Sequence, residues 1–440
     1  MVKRTFLMSA AALLGAVALV PAGPALAQED AEKRGSDNVE VVAHIPLGPR
    51  VSDIEIEQDM DRPYAYVAKQ DGGLDIIDLH DPYNAKVLHR WRFEDIDIHV
   101  GSAGKDIKIF SWQGRDYVVH SVQFRQGGPD ADLGAVVFDA TGLPDVSTWK
   151  EVGRIQGPAE VGGFHNIYTY RHSNGRPLLI ATVSGPFANV YDLGYVVDGR
   201  LDEALVAQVP VPESDASRGP GPRGYHDFYA GYHPDSQQDR FYGGGTGGYY
   251  VYNITDLENP ELLVSLTGIN GVQWGHTFTP SPDGRYVVGE AEYQYAPLRI
   301  FDLQPGLDGE VSNINRPISA WTANWENLSH NHEVRWPFVF VSGYLDGMQV
   351  FSLSDPKHPK TIAHYDTFLE PEENSGMGGN WGVDVRNADG LIVSSDSQTG
   401  FWAFYMEGFS GWNGLDWGQP NISSAQDWEN GPEYQAMTRY

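Results

Sequence analysis

The chain has 440 residues, 59 acidic against 30 basic side chains, a formal net charge of −29 and no cysteine. That composition excludes disulfides and thiolate metal sites, and a surface of that sign repels nucleic acid and anionic membrane, so neither is an expected partner. Fifty glycines, 28 prolines and 12% aromatic residues suit many short strands joined by tight turns.

In chain order, Lys3 and Arg4 precede an apolar run from Phe6 to Val20, and Ala25-Leu26-Ala27 is a small-x-small cleavage site. The run is short for a membrane span. Residues 1–27 therefore predict a cleaved signal peptide. A mature chain beginning at Gln28, with a net charge of −31 once Lys3 and Arg4 are gone, is expected in the periplasm or outside the cell. Nothing in it predicts membrane insertion after signal removal.

A lone strand is predicted over Val39–Leu47. After it comes a unit of four strands: Val51–Gln58, Tyr64–Lys69, the alternating stretch after Gly73, and Lys86–Trp91 beyond an Asp-Pro turn. The same glycine, alternating strand, Asp turn and second strand return at Gly248–Leu266 and Gly347–Tyr365. Ser281-Pro-Asp-Gly284 marks the turn between Thr277–Pro280 and Tyr286–Glu292 in another copy. First strands of successive units start at Ser52, Lys105, His165, His226, His276, His332 and Trp381, with spacings of 53, 60, 61, 50, 56 and 49 residues. Four strands at such periods predict the blades of an all-β, seven-bladed β-propeller.

The seventh unit has only Gly382–Arg386, Leu391–Ser395 and Phe401–Met406, so Val39–Leu47 is expected to supply its fourth strand and close the ring. Residues 28–406 then form the propeller, and 407–440 form a tail read as a surface wrap or a partly ordered end.

The units at Gly73–Trp91, Gly248–Leu266 and Gly347–Tyr365 resemble the LVIVD-repeat family of secreted and surface propellers. The resemblance covers most of the mature chain and implies the architecture, not a chemistry.

Chemistry is sought where the repeat puts polar residues together. Aligning the first strands on Ile54, Ile107, Ile167, Phe228, Phe278, Val334 and Val383 puts His165, His226, His276 and His332 at one repeat position in four consecutive blades. Innermost strands of a propeller surround its channel, so these imidazoles are expected at one mouth. Imidazole suits Zn, Cu or Fe, which makes the four histidines the candidate metal ligands; the same residues also read as a metal-free pocket gripping a polar ligand, or as structural histidines each bonded to its own blade. Glu290 and Glu292, returning to the same rim, are the candidate catalytic acid–base groups. His120, Gln123, Lys69, Tyr344 and Asp396 are expected on that rim, with His330 beside the cluster. His44, His80, His89, His172, His233, His358 and His364 fall in turns or outer strands and are expected to be solvated.

There is no Gly-x-Ser-x-Gly and no phosphate-binding loop of the Gly-x₄-Gly-Lys type. The expected function is a secreted or periplasmic module that binds a small molecule or a protein partner through a His-lined, metal-competent mouth. The alternative is a metal-dependent enzyme of oxidase or hydrolase type using the same ring. The multi-His pattern with Glu290-Ala-Glu292 is similar to that of copper-bearing selenium-binding and methanethiol oxidase propellers.

Overall fold

A computed structural model describes residues 34–94, 100–102, 104–126, 131–158, 162–212, 224–368 and 377–439. The expected signal peptide and the start at Gln28 lie outside them. Seven four-stranded antiparallel sheets follow one another in chain order, with one two-stranded sheet, Val100–Ser102 on Gln123–Gln126, beside the second. The innermost strands of blades 1 to 7 are Val51–Ile56, Ile107–Trp112, Ile167–Arg171, Tyr225–His233, Phe278–Pro280, Asn331–Arg335 and Asn380–Val385. Blade 7 is completed by Val39–Ile45, which pairs antiparallel with Gly400–Met406 from Val39 opposite Met406 to Ile45 opposite Phe401.

The repeated residues have identifiable jobs. A Cβ on Gly73, Gly248 or Gly347 would run into the carbonyl oxygen of Trp91, Leu266 or Tyr365, so glycine is required where the outermost strand crosses close. The Asp that follows turns the chain with its own carboxylate: Asp81 accepts from the Tyr83 amide at 3.2 Å, Asp256 from Glu258 at 3.0 Å and Asp355 from Lys357 at 3.1 Å.

The core lies between blades and combines aliphatic residues with stacked aromatic pairs. Tyr249 of blade 4 stacks on Phe278 of blade 5 at 4.7 Å, and Trp321 of blade 5 stacks on Phe351 of blade 6 at 4.4 Å. Along the channel the inward positions are polar and stitch neighbouring blades together. Asp106 accepts from the Ile167 amide at 2.8 Å, and Asp384 accepts from Ile56 at 2.9 Å across the closure. Lys108 reaches across to Asp53 at 2.8 Å, Asp106 at 2.9 Å and Glu55 at 3.2 Å. Burial pulls the Lys108 ammonium down, but these carboxylates outweigh it and hold the group well above the usual lysine range.

The tail is ordered and crosses the far end of the channel, where the innermost strands finish. Trp412 is buried and donates its indole N–H to the Trp336 carbonyl at 2.9 Å. Ser424 donates to Glu333 at 2.5 Å, the Arg171 amide donates to Gln426 at 3.4 Å, and Tyr232 donates to Glu433 at 3.1 Å. The tail thus runs from blades 6 and 7 across to blades 3 and 4. A cavity of about 780 Å³ lies beneath it at the ends of blades 1 to 3, away from the histidines.

Candidate metal centre at the channel mouth

In blades 1 to 6 a residue at the mouth, near the start of the innermost strand, is followed by a short polar one, and in blade 7 Trp381 is followed by Gly382. Backbone pairing fixes the correspondence. His276 donates its amide to the Glu290 carbonyl at 2.9 Å, and in blade 6 it is His330 that does the same to Ser342, at 2.9 Å. Asn331 pairs with Ser342 as Asp227 pairs with Gly244. The side chain of Thr277 confirms the level by donating to Asn331 at 2.8 Å. The mouth position therefore reads Ser52, Lys105, His165, His226, His276, His330 and Trp381.

His332, aligned with the ring on sequence, lies two residues further in, at the level of Phe278 and Phe228. There it is buried beside Glu290, with Nδ1 3.6 Å from Oε2, and burial pushes its imidazole down to about 3.

The ring is continuous. Ring centroids are 4.8 Å apart for His165 and His226, 4.0 Å for His226 and His276, 5.1 Å for His276 and His330, and 4.5 Å for His330 and Trp381. The Lys105 ammonium sits over the Trp381 ring at 5.1 Å. Blade 5 adds its two acids. Glu292 Oε2 is 3.5 Å from His276 Nε2, and Glu290 Oε2 is 3.9 Å from His276 Nδ1. Glu290 is fully buried, and neither of its carboxylate oxygens accepts a hydrogen bond. Burial first, then the charges of Glu292 and Asp227, push its carboxyl well above the usual range. One donor atom from each of His226, His276 and Glu292 lies within 4.8 Å of the others. Atoms sharing one ion sit roughly 3–4 Å apart, so shifts of the order of 1 Å close a shell.

Hydrogen bonds orient the imidazoles. The His330 Nδ1 stands 2.6 Å from the Trp381 carbonyl, which only accepts, so Nδ1 carries the proton and Nε2 the lone pair. Thr277 Oγ1 gives its proton to Asn331, so at 3.0 Å from His276 Nδ1 it accepts and leaves Nε2 as donor atom on the Glu292 side. His165 Nδ1 is 2.8 Å from Gln123 Oε1, which sets the same tautomer with the amide oxygen so assigned. Metal-binding histidines are commonly held this way, by a partner on the other nitrogen.

Tyr344 is fully buried and donates to Glu292 Oε1 at 2.5 Å. Burial first, then the Glu292 charge, hold its phenol well above the usual range, so it keeps its proton.

Of the residues expected on this rim, Gln123 and Tyr344 touch the ring. His120 is instead enclosed in blade 2, its centroid 6.3 Å from that of Trp91, and burial pushes it down to about 4. Lys69 points to the carbonyls of Leu47 and Pro49, both at 2.9 Å, and Asp396 accepts from Thr367 at 2.7 Å. His172 and His233, expected in solvent, are buried. His172 Nε2 lies 3.0 Å from the Ile254 carbonyl, and His233 Nε2 lies 2.8 Å from the Tyr242 hydroxyl. His80 and His358 are exposed and lie against Asp78 and Asp355 of their own turns.

No family model and no curated protein matches the chain. Among solved structures it is similar to the WD40 β-propeller domain of Doa1, at 11% identity and a TM-score of 0.53, over 84% of this chain and 98% of that one. At that identity the likeness is one of fold.

Proposed function

We propose that this chain is an exported binding propeller of LVIVD type. Its channel mouth holds one divalent transition metal on His226, His276 and Glu292, with the lone pairs of His165 and His330 alongside. The observation that carries the reading is the approach of those three donor atoms to within 4.8 Å of one another. Neutral imidazole and carboxylate suit zinc, copper or iron. Three protein ligands leave a coordination position facing the mouth, where a small molecule with an oxygen or nitrogen donor would bind.

Titrating the purified protein with Co²⁺ or Zn²⁺ should give one site per chain. It should be lost in His226→Ala, His276→Ala and Glu292→Gln and kept in His80→Ala and His358→Ala. Affinity should fall with pH through the imidazole range, because protons compete for the same nitrogens. No stoichiometric binding, or equal binding by all five variants, overturns the reading. The enzyme alternative requires turnover by the loaded protein that Glu290→Gln lowers at unchanged metal content.

A further inference from the structure

Glu292 reaches the mouth from blade 5, but what fixes its orientation comes from blades 6 and 7. Tyr344 sits in the turn Gly343–Gly347, between the second and third strands of blade 6. Its φ of +43° is in the left-handed region, unusual for a tyrosine. Two main-chain bonds with Asn380 of blade 7, at 3.0 and 2.9 Å, hold it there. Its ring is wedged 5.0 Å from His330 and 5.7 Å from Trp381, centroid to centroid. Strained backbone that the surrounding structure over-determines is characteristic of functional sites.

The two oxygens of Glu292 are thereby divided. Oε1 accepts from the Tyr344 phenol at 2.5 Å, and Oε2 is the one that stands 3.5 Å from His276 Nε2. We propose that Tyr344 is the positioning residue of this centre, committing Glu292 to bind a metal through Oε2 alone. The inference rests on the metal reading above. A carboxylate with one oxygen tied to a phenol does not rotate to chelate, so the position opposite stays open to a ligand. Removing a partner that orients a ligating group typically costs about 10- to 100-fold in metal affinity.

The test is Tyr344→Phe, which keeps the ring and removes the hydroxyl. Co²⁺ affinity should weaken by about 10- to 100-fold, and the visible spectrum of bound Co²⁺ should change as Glu292 is released. Tyr242→Phe, whose hydroxyl serves His233 instead, should bind Co²⁺ like the wild type. A structural role alone would lower the melting temperature and leave the Co²⁺ spectrum as it was. The wild type offers a reading that needs no variant. The metal-loaded minus metal-free infrared difference should show a carboxylate splitting no smaller than that of the metal-free carboxylate, and a splitting clearly below it, the mark of two-oxygen chelation, overturns the proposal. If the wild type binds Co²⁺ and Tyr344→Phe binds it equally with the same spectrum, this inference falls while the metal site stands. If the wild type binds none, both fall.

Discussion

Replacing Lys108 with methionine keeps most of the side chain's length and removes its charge. The ammonium lies 2.8, 2.9 and 3.2 Å from Asp53, Asp106 and Glu55 in a channel where none of the four is well solvated. A unit-charge pair about 4 Å apart is worth about 4 kcal/mol at an effective dielectric of 20, and removing one partner of a buried ion pair costs about 3–5 kcal/mol. That range is the expected loss at about pH 8. Its pH dependence has a definite sign. Burial already pushes Asp106 and Glu55 well above the usual carboxylate range, with Lys108 pulling the other way. Without Lys108 they rise further, so the folded variant binds more protons than its unfolded chain. Its stability therefore drops as pH rises from about 4 through the raised values, and the loss should be distinctly smaller at about pH 5. Urea unfolding followed by tryptophan fluorescence reads this out. With a slope of at least about 3 kcal/mol/M for a chain of this size, the midpoint should fall by roughly 1 M at the higher pH. An unchanged midpoint there, or a larger loss at the lower pH, refutes the account of Lys108 as the cation that holds Asp53, Asp106 and Glu55 together.

Removing the closing strand together with everything before it, up to Ile45, should leave Gly400–Met406 as a bare sheet edge, and soluble yield should drop sharply. A truncated protein that stays monomeric with unchanged melting counts against closure as a stabilising device. Protein recovered after export should begin at Gln28 on N-terminal sequencing, and retention of residues 1–27 would overturn the export assignment.

The fold was legible because its units repeat. The glycine before the third strand and the Asp turn after it recur in blades 1, 4 and 6, where the outermost strand crosses close, and the unit spacing alone counts seven blades. Closure by Val39–Ile45 followed from a strand without a blade and a blade without a strand. The candidate site was legible to within one register step. Val334 looked like the first apolar residue of its strand because the preceding His332 is polar, yet His332 fills the slot that Ile167, Phe228 and Phe278 fill in blades 3 to 5. The better signal was the residue after the ring histidine, which is short and polar in Asn166, Asp227 and Thr277. Asn331 continues that series and Glu333 does not. The buried state of His172 and His233 was not legible, since each depends on a contact with another segment, Ile254 and Tyr242. The tail's course was hidden for the same reason: Trp412 is anchored by a carbonyl 76 residues earlier in the chain.

Blade 7 takes three strands from residues 380–406 and the fourth from 39–45. During synthesis the first strand made has its place only beside the last to emerge. The growing chain must hold that first strand unpaired while six blades form behind it. Ring completion therefore waits until Gly400–Met406 has been made. A product terminated before Gly400 lacks the seam that joins the two ends.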